Sequence, residues 1–100
     1  MNEQEIESKL VESGKTAPRL SPKDIDAVIA KADYHVFPGT TVTVCCLTLQ
    51  NGFNVVGESA AVSPENFDAD IGKEVAFNKA RDKVWALEGY LLKQRLFEQP

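Results

Sequence analysis

A chain of 100 residues has the length of one domain, 1–100, and buries about two-thirds of its unfolded surface, enough to fold alone with modest stability. A net charge of -4 and a pI near 4.9 argue against a general binder of nucleic acid or of anionic membranes, which carries a basic patch. No apolar run approaches the roughly 20 residues of a membrane span, and the start Asn2-Glu3-Gln4-Glu5 lacks the apolar stretch of a signal peptide, so a cytoplasmic protein is expected.

The first segment, within 1–15, predicts a short helix over 2–12. Ile6 and Leu10 lie one turn apart with Val11 beside them, and Gly14 is the stop. With so few anchors it is expected to fray. Residues 15–20 contain Pro18 and no periodicity, which predicts a loop. Ser21-Pro22-Lys23-Asp24 then reads as a helix start: serine caps, proline suits the first turn, and the Asp24 charge favours the helix N-terminus. Ile25, Val28, Ile29 and Ala32 form one apolar stripe, so the expected helix spans 21–33. Tyr34 to Thr40 contains the turn signal Pro38-Gly39 and leads into a strand.

Residues 41–61 predict an antiparallel hairpin. Val42, Val44, Leu47, Thr48 and Leu49 run up to Asn51-Gly52, and Phe53, Val55 and Val56 leave it. Asn-Gly between two such runs favours a two-residue type I′ turn, with positive φ at both central residues. That turn would set Leu49 opposite Asn54, Leu47 opposite Val56, Cys45 opposite Glu58 and Thr43 opposite Ala60. Neither face is cleanly polar in this register, so partial cover on both is expected. Cys45 and Cys46 are adjacent and point to opposite faces; they suit neither a disulfide nor a zinc pattern and read as small apolar strand residues.

Ser63-Pro64 predicts a short turn over 64–67, and the acidic start at Asp68 and Asp70 a long helix over 68–97, its body beginning near Ala69. Ala76, Phe77, Ala80, Val84, Leu87 and Leu91 share one side at 3.6 residues per turn and should cover the hairpin. Ile71, Trp85, Leu92 and Leu96 form a flanking stripe with Gly89 among them. This second stripe exceeds what one hairpin and one short helix need. It is the candidate interface: Ile71, Trp85, Gly89, Leu92 and Leu96, covered either by a second copy of the chain or by the 2–12 segment.

Chemistry-bearing groups are sparse. His35, the only histidine, has no partner at a catalytic spacing and reads as a loop residue. Glu65, Asp68 and Asp70 do not match a calcium loop and are explained by capping. Lys79, Arg81 and Lys83 read as a solvated, charge-mixed face rather than a phosphate stripe. Trp85 and Tyr90, with Arg81 nearby, could stack a nucleotide-like ligand. No catalytic set, metal site or cofactor motif stands out.

The stretches Thr16-Ala-Pro-Arg-Leu-Ser-Pro-Lys-Asp-Ile25, Cys46-Leu-Thr-Leu-Gln-Asn-Gly-Phe53, Gly57-Glu-Ser-Ala60, Asn66-Phe-Asp68, Ile71-Gly72 and Ala80-Arg-Asp-Lys-Val-Trp-Ala-Leu-Glu-Gly-Tyr-Leu-Leu92 resemble a family of small phage proteins. It is typified by the gene 49 product of phage N4 and the gene 66 product of phage Sf6. The resemblance implies a phage or prophage accessory protein in the bacterial cytoplasm and carries over no catalytic residue and no ligand. The expectation is an α+β fold, a hairpin packed against a long C-terminal helix and a short N-terminal one. Function is expected through binding rather than catalysis, as a homo-oligomer and on a host protein; the alternative is a small-molecule, nucleotide-like ligand bound by Trp85, Tyr90 and Arg81.

Overall fold

In the computed structural model, which describes residues 2–15 and 17–100, the chain is α+β: an antiparallel sheet packed on one long helix, with short helices before it. Met1 and Thr16, the latter within the expected 15–20 loop, lie outside the described residues. The elements are α1 (Glu3–Glu12), α2 (Pro22–Val28), β1 (Ile29–Val36), β2 (Thr43–Leu49), β3 (Asn54–Ser59), a 3-10 turn (Pro64–Asn66) and α3 (Ala69–Glu98). Among the described residues the strands form one sheet in the order β1-β2-β3.

Local chemistry places the helix ends. The Asn2 side chain accepts the Glu5 N–H at the start of α1. At its end Lys15 N–H donates to the Leu10 carbonyl and Gly14 N–H to that of Val11, the paired bonds of a Schellman stop. Ser21 and Asp24 form a reciprocal capping box on α2, and the bonds from Ser21 hold the Asp24 carboxyl below its ordinary pKa. Asp68 Oδ1 accepts the N–H groups of Asp70 and Ile71 and opens α3.

The expected helix over 21–33 is corrected: α2 stops at Val28, and residues 29–36 are a strand. Ile29 pairs with Leu49, then a bulge resets the register so that Ala32 faces Leu47 and Val36 faces Thr43. Ile29 and Ala32 pack on the core in this strand as they would have in a helix, which is why their spacing misled. Pairing with β2 satisfies backbone groups along the whole segment, and that outweighs a weak helix preference. Pro38-Gly39 is thus the loop of a first hairpin, closed by Phe37 N–H donating to the Val42 carbonyl. His35 stands on a strand, not in a loop, edge-on to Phe37 at 4.7 Å.

The second hairpin turns at Asn51-Gly52 as expected, but its register is shifted by one residue. Leu47 faces Val55, Cys45 faces Gly57 and Thr43 faces Ser59. Only Gly52 has positive φ, at 89°; Asn51 keeps negative φ while its side chain accepts the Phe53 N–H. The loop is therefore three residues long, a type I turn closed by a left-handed glycine. A one-residue slip exchanges the faces of a strand. Here it puts Val55, Gly57 and Ser59 beside Thr43, Cys45, Leu47 and Leu49, and that face is buried. Partial cover on both faces is not observed: the opposite face carries half-exposed Val44, Cys46 and Thr48 and exposed Asn54, Val56 and Glu58.

The core holds Ile25, Cys45, Leu47, Leu49 and Val55 against Ala76, Ala80 and Val84 of α3. Both cysteines are free thiols, and burial raises the pKa of Cys45. The helix sits unusually close to the hairpin. A Cβ built on Gly57 would lie 2.9 Å from the Ala80 Cα, and one on Gly72 would lie 2.8 Å from Thr43 Oγ1. Gly72, Ala76 and Ala80, four residues apart, make one row of small residues along this contact. The Ser59 hydroxyl donates to the Gly72 carbonyl at 2.7 Å and ties the row to β3.

Two glycines therefore predict opposite outcomes. Gly57→Ala should lower stability by about 1–3 kcal/mol, because the methyl meets backbone that cannot rotate away. Gly89→Ala should raise it by up to about 1 kcal/mol, because the new Cβ meets no described atom within 4 Å and the helix gains propensity. Urea unfolding midpoints of the two variants and the parent test both signs.

Candidate functional site

The helix α3 is about 45 Å long at 1.5 Å per residue for its 30 residues. A seven-residue strand spans only about 24 Å. The helix thus outruns the sheet, and after Val84 none of its described residues is fully buried. Leu87 and Leu91 continue the core stripe beyond its cover and are exposed. With Phe53 and Val55 of the hairpin, and with Tyr90, they line a groove of about 660 Å³ between the hairpin tip and the second half of α3. Phe53 is 56% exposed and Tyr90 71%. Lys83 Nζ donates to the Val56 carbonyl across the rim, and Glu88 supplies the opposite charge. Val56 pairs with Cys46 between the hydrogen-bonded pairs of the ladder, so its carbonyl points to the free edge of β3, where lysine blunts further strand pairing.

Another side of α3 carries a polar cluster. Arg81 is not on a solvated face: its side chain is only 12% exposed. Its Nε donates to Asp26 Oδ1 at 2.8 Å, its Nη2 to the Pro22 carbonyl at 3.3 Å, and its Nη1 to Glu3 Oε2 at 2.5 Å. The Trp85 indole N–H donates to that same Glu3 oxygen at 2.9 Å. Arg81 and Trp85 are one turn apart, so both reach the carboxylate that α1 brings to them. The Arg81 hydrogen bond, partly offset by burial and aided by Trp85, holds the Glu3 carboxyl below its ordinary 4.5. A second guanidinium fork, Arg19 on both oxygens of Glu7 at 2.7 and 2.8 Å, tethers the same helix.

The structure separates the residues singled out from sequence. Trp85 is half-buried against the core under Glu3; Leu92 and Leu96 are half-buried; Ile71 is 60% exposed, beside Phe67 and Asp68 in a cleft of about 140 Å³. Ile71 lies fourteen residues before Trp85, about 21 Å along the helix. Arg81, Trp85 and Tyr90 do not form one site: at about 100° per residue Arg81 and Tyr90 stand on opposite sides of α3. The spacing marks Leu87 and Leu91 as core residues, Phe53 as a strand residue and Lys83 as a solvated charge, and it gives Glu3 no role. The signal for the first three was arithmetical, a helix pattern much longer than the strands; Glu3 left none, being 78 residues from Arg81. Among the described residues no group of His, Cys, Asp and Glu could hold a metal ion, and no helix is long and apolar enough to cross a membrane.

The Glu3 contact has a pH consequence. A carboxyl with a depressed folded-state pKa contributes stability above its unfolded value, and that is lost as pH falls through the folded value. Acidification below pH 4.5 should loosen α1 at Glu3 and shift the emission of Trp85, the single tryptophan, to longer wavelength. The midpoint should lie below 4.5, and Glu3→Gln, which cannot titrate, should remove this transition.

Among curated proteins and solved structures none matches the chain. The family described as phage protein (N4 Gp49/phage Sf6 gene 66) matches residues 20–96, which takes in α2, the whole sheet and nearly all of α3, and leaves α1 outside. The chain belongs to this phage protein family.

Proposed function

We propose that this phage protein acts by binding rather than catalysis, as a homo-oligomer that uses the apolar groove, with a host protein as its further target. One observation carries the reading: the core stripe of α3 runs on through Leu87 and Leu91 into a groove that no described residue fills. A contiguous apolar surface of this kind on a small protein usually marks an interaction site. Its lining holds one lysine and one glutamate, so two copies of the surface can meet without net repulsion. A twofold dimer is the commonest closed arrangement. The flanking stripe of Ile71, Trp85, Leu92 and Leu96 is the weaker candidate, because Trp85 already has cover from α1.

Sedimentation equilibrium should give a mass well above the 11.0 kDa chain at tens of micromolar. Leu91→Glu, at an exposed position, should return it towards monomer, whereas Leu92→Glu should not. A strictly monomeric parent would reject self-association, and a response to Leu92→Glu alone would move it to the other stripe. Pull-down from infected-host lysate with parent and Leu91→Glu protein tests the host target; enrichment lost with the variant is the expected result.

A second reading is favoured by the groove's size, which falls in the range of small-molecule sites, and by its two aromatic rings, Phe53 and Tyr90. A ligand bound only to the folded state raises the unfolding temperature. No shift across a nucleotide panel at millimolar concentration rejects that reading for nucleotides.

A further inference from the structure

We propose that Arg81 and Trp85 form a carboxylate-binding site for an acidic side chain of a helical peptide, and that Glu3 of the same chain occupies it as a resident competitor. The site is separate from the groove and does not rest on the reading given for it. Two donors from different side chains converge on one oxygen, Glu3 Oε2. That arrangement recognises an anion, since a charge-assisted bond and an indole N–H act on the same atom.

The two donors are also held by contacts that do not involve Glu3. Asp26 and the Pro22 carbonyl fix the Arg81 guanidinium from α2, and Trp85 packs on the core. Preorganisation of this kind lowers the cost of binding. The occupant, by contrast, is loosely held. None of the described residues of α1 is buried, and Val11 is 63% exposed. Among the described residues its side-chain tethers are the Glu3 contact and the Glu7–Arg19 pair, and a helix of ten residues is marginal by itself. Pro22, Asp26, Arg81 and Trp85 all fall within the family match at 20–96; Glu3 does not.

The charge of the pocket selects the ligand class. Asp26 sits on Arg81 Nε at 2.8 Å and offsets its charge. The pocket is then near neutral, and a single carboxylate gives up less hydration on entering it than a phosphate dianion does. The position of Glu3 in the first turn of α1 gives the shape: an acidic residue near the start of a short helix. Because α1 is tethered, its effective concentration is high, and an incoming peptide competes poorly until α1 is displaced.

The experiment uses the full chain, with Glu3→Lys to place like charge beside Arg81 and expel α1. Trp85 emission is followed while a synthetic peptide of residues 2–15 is added. The variant alone should emit at longer wavelength than the parent. It should then bind the peptide at least about tenfold more tightly than the parent does, while a peptide carrying Glu3→Lys and inorganic phosphate should both fail. Unchanged emission of the variant, equal binding by parent and variant, equal binding of both peptides, or the same response to phosphate would each overturn the proposal. Amide exchange over residues 3–12 of the parent gives a second measurement that needs no variant. Excess peptide should speed that exchange, and unchanged rates at saturating peptide would also overturn it.

Discussion

The seat of α3 on the second hairpin is the contact on which the other features depend. Gly72, Ala76 and Ala80 present almost no side chain, Gly57 presents none, and the backbones meet where a methyl would not fit. Dispersion contacts fall off steeply with distance, so close approach along a row of small residues is what brings Val84, Leu47 and Val55 into one buried cluster. It also fixes the helix along its axis. The row of small residues ends at Ala80, the last buried side chain is Val84, and the remaining turns run beyond the strands.

From that placement two different surfaces follow on one helix. On the groove side the apolar stripe continues without a partner, which leaves Leu87, Leu91 and Tyr90 beside Phe53. Around the helix, the contact with α1 rests on charge. Arg81 gathers a carboxylate and a carbonyl from α2 and a carboxylate from α1. The Arg81–Asp26 bond lies within the family unit and helps hold α2 against α3; the Arg81–Glu3 bond adds a segment from outside it. An apolar surface loses little with salt or pH, while a part-exposed ion pair is partly screened and its carboxylate titrates. The two sides of α3 therefore answer to different conditions.

Much of this was decided by short-range chemistry and could be read directly. The caps at Ser21 and Asp68, the stop at Gly14, the turn at Pro64 and the extent of α3 all depend on a few neighbouring residues, and each lies where local rules place it. The α+β class and the position of the second turn also followed from the chain itself. The strand β1 did not, because Ile29 and Ala32 satisfy the core as helix or as strand, and only β2 as a neighbour decides between them. The register of the hairpin turned on a single dihedral, the φ of Asn51, since Asn-Gly favours the two-residue loop but also serves a three-residue one.

The sites divide the same way. The sequence by itself determined that α3 carries more apolar surface than the sheet can cover, because stripe length and strand length are both countable. Which apolar residues stay exposed was decided by tertiary structure, through where the small residues let the helix sit. That placement left Trp85 half-buried beside α1 and Leu87 and Leu91 open, although the spacing suggested the reverse. The pairing of Glu3 with Arg81 and Trp85 belongs wholly to the fold: a contact between residues so far apart has no local signature, and only chain topology brings them within hydrogen-bond reach.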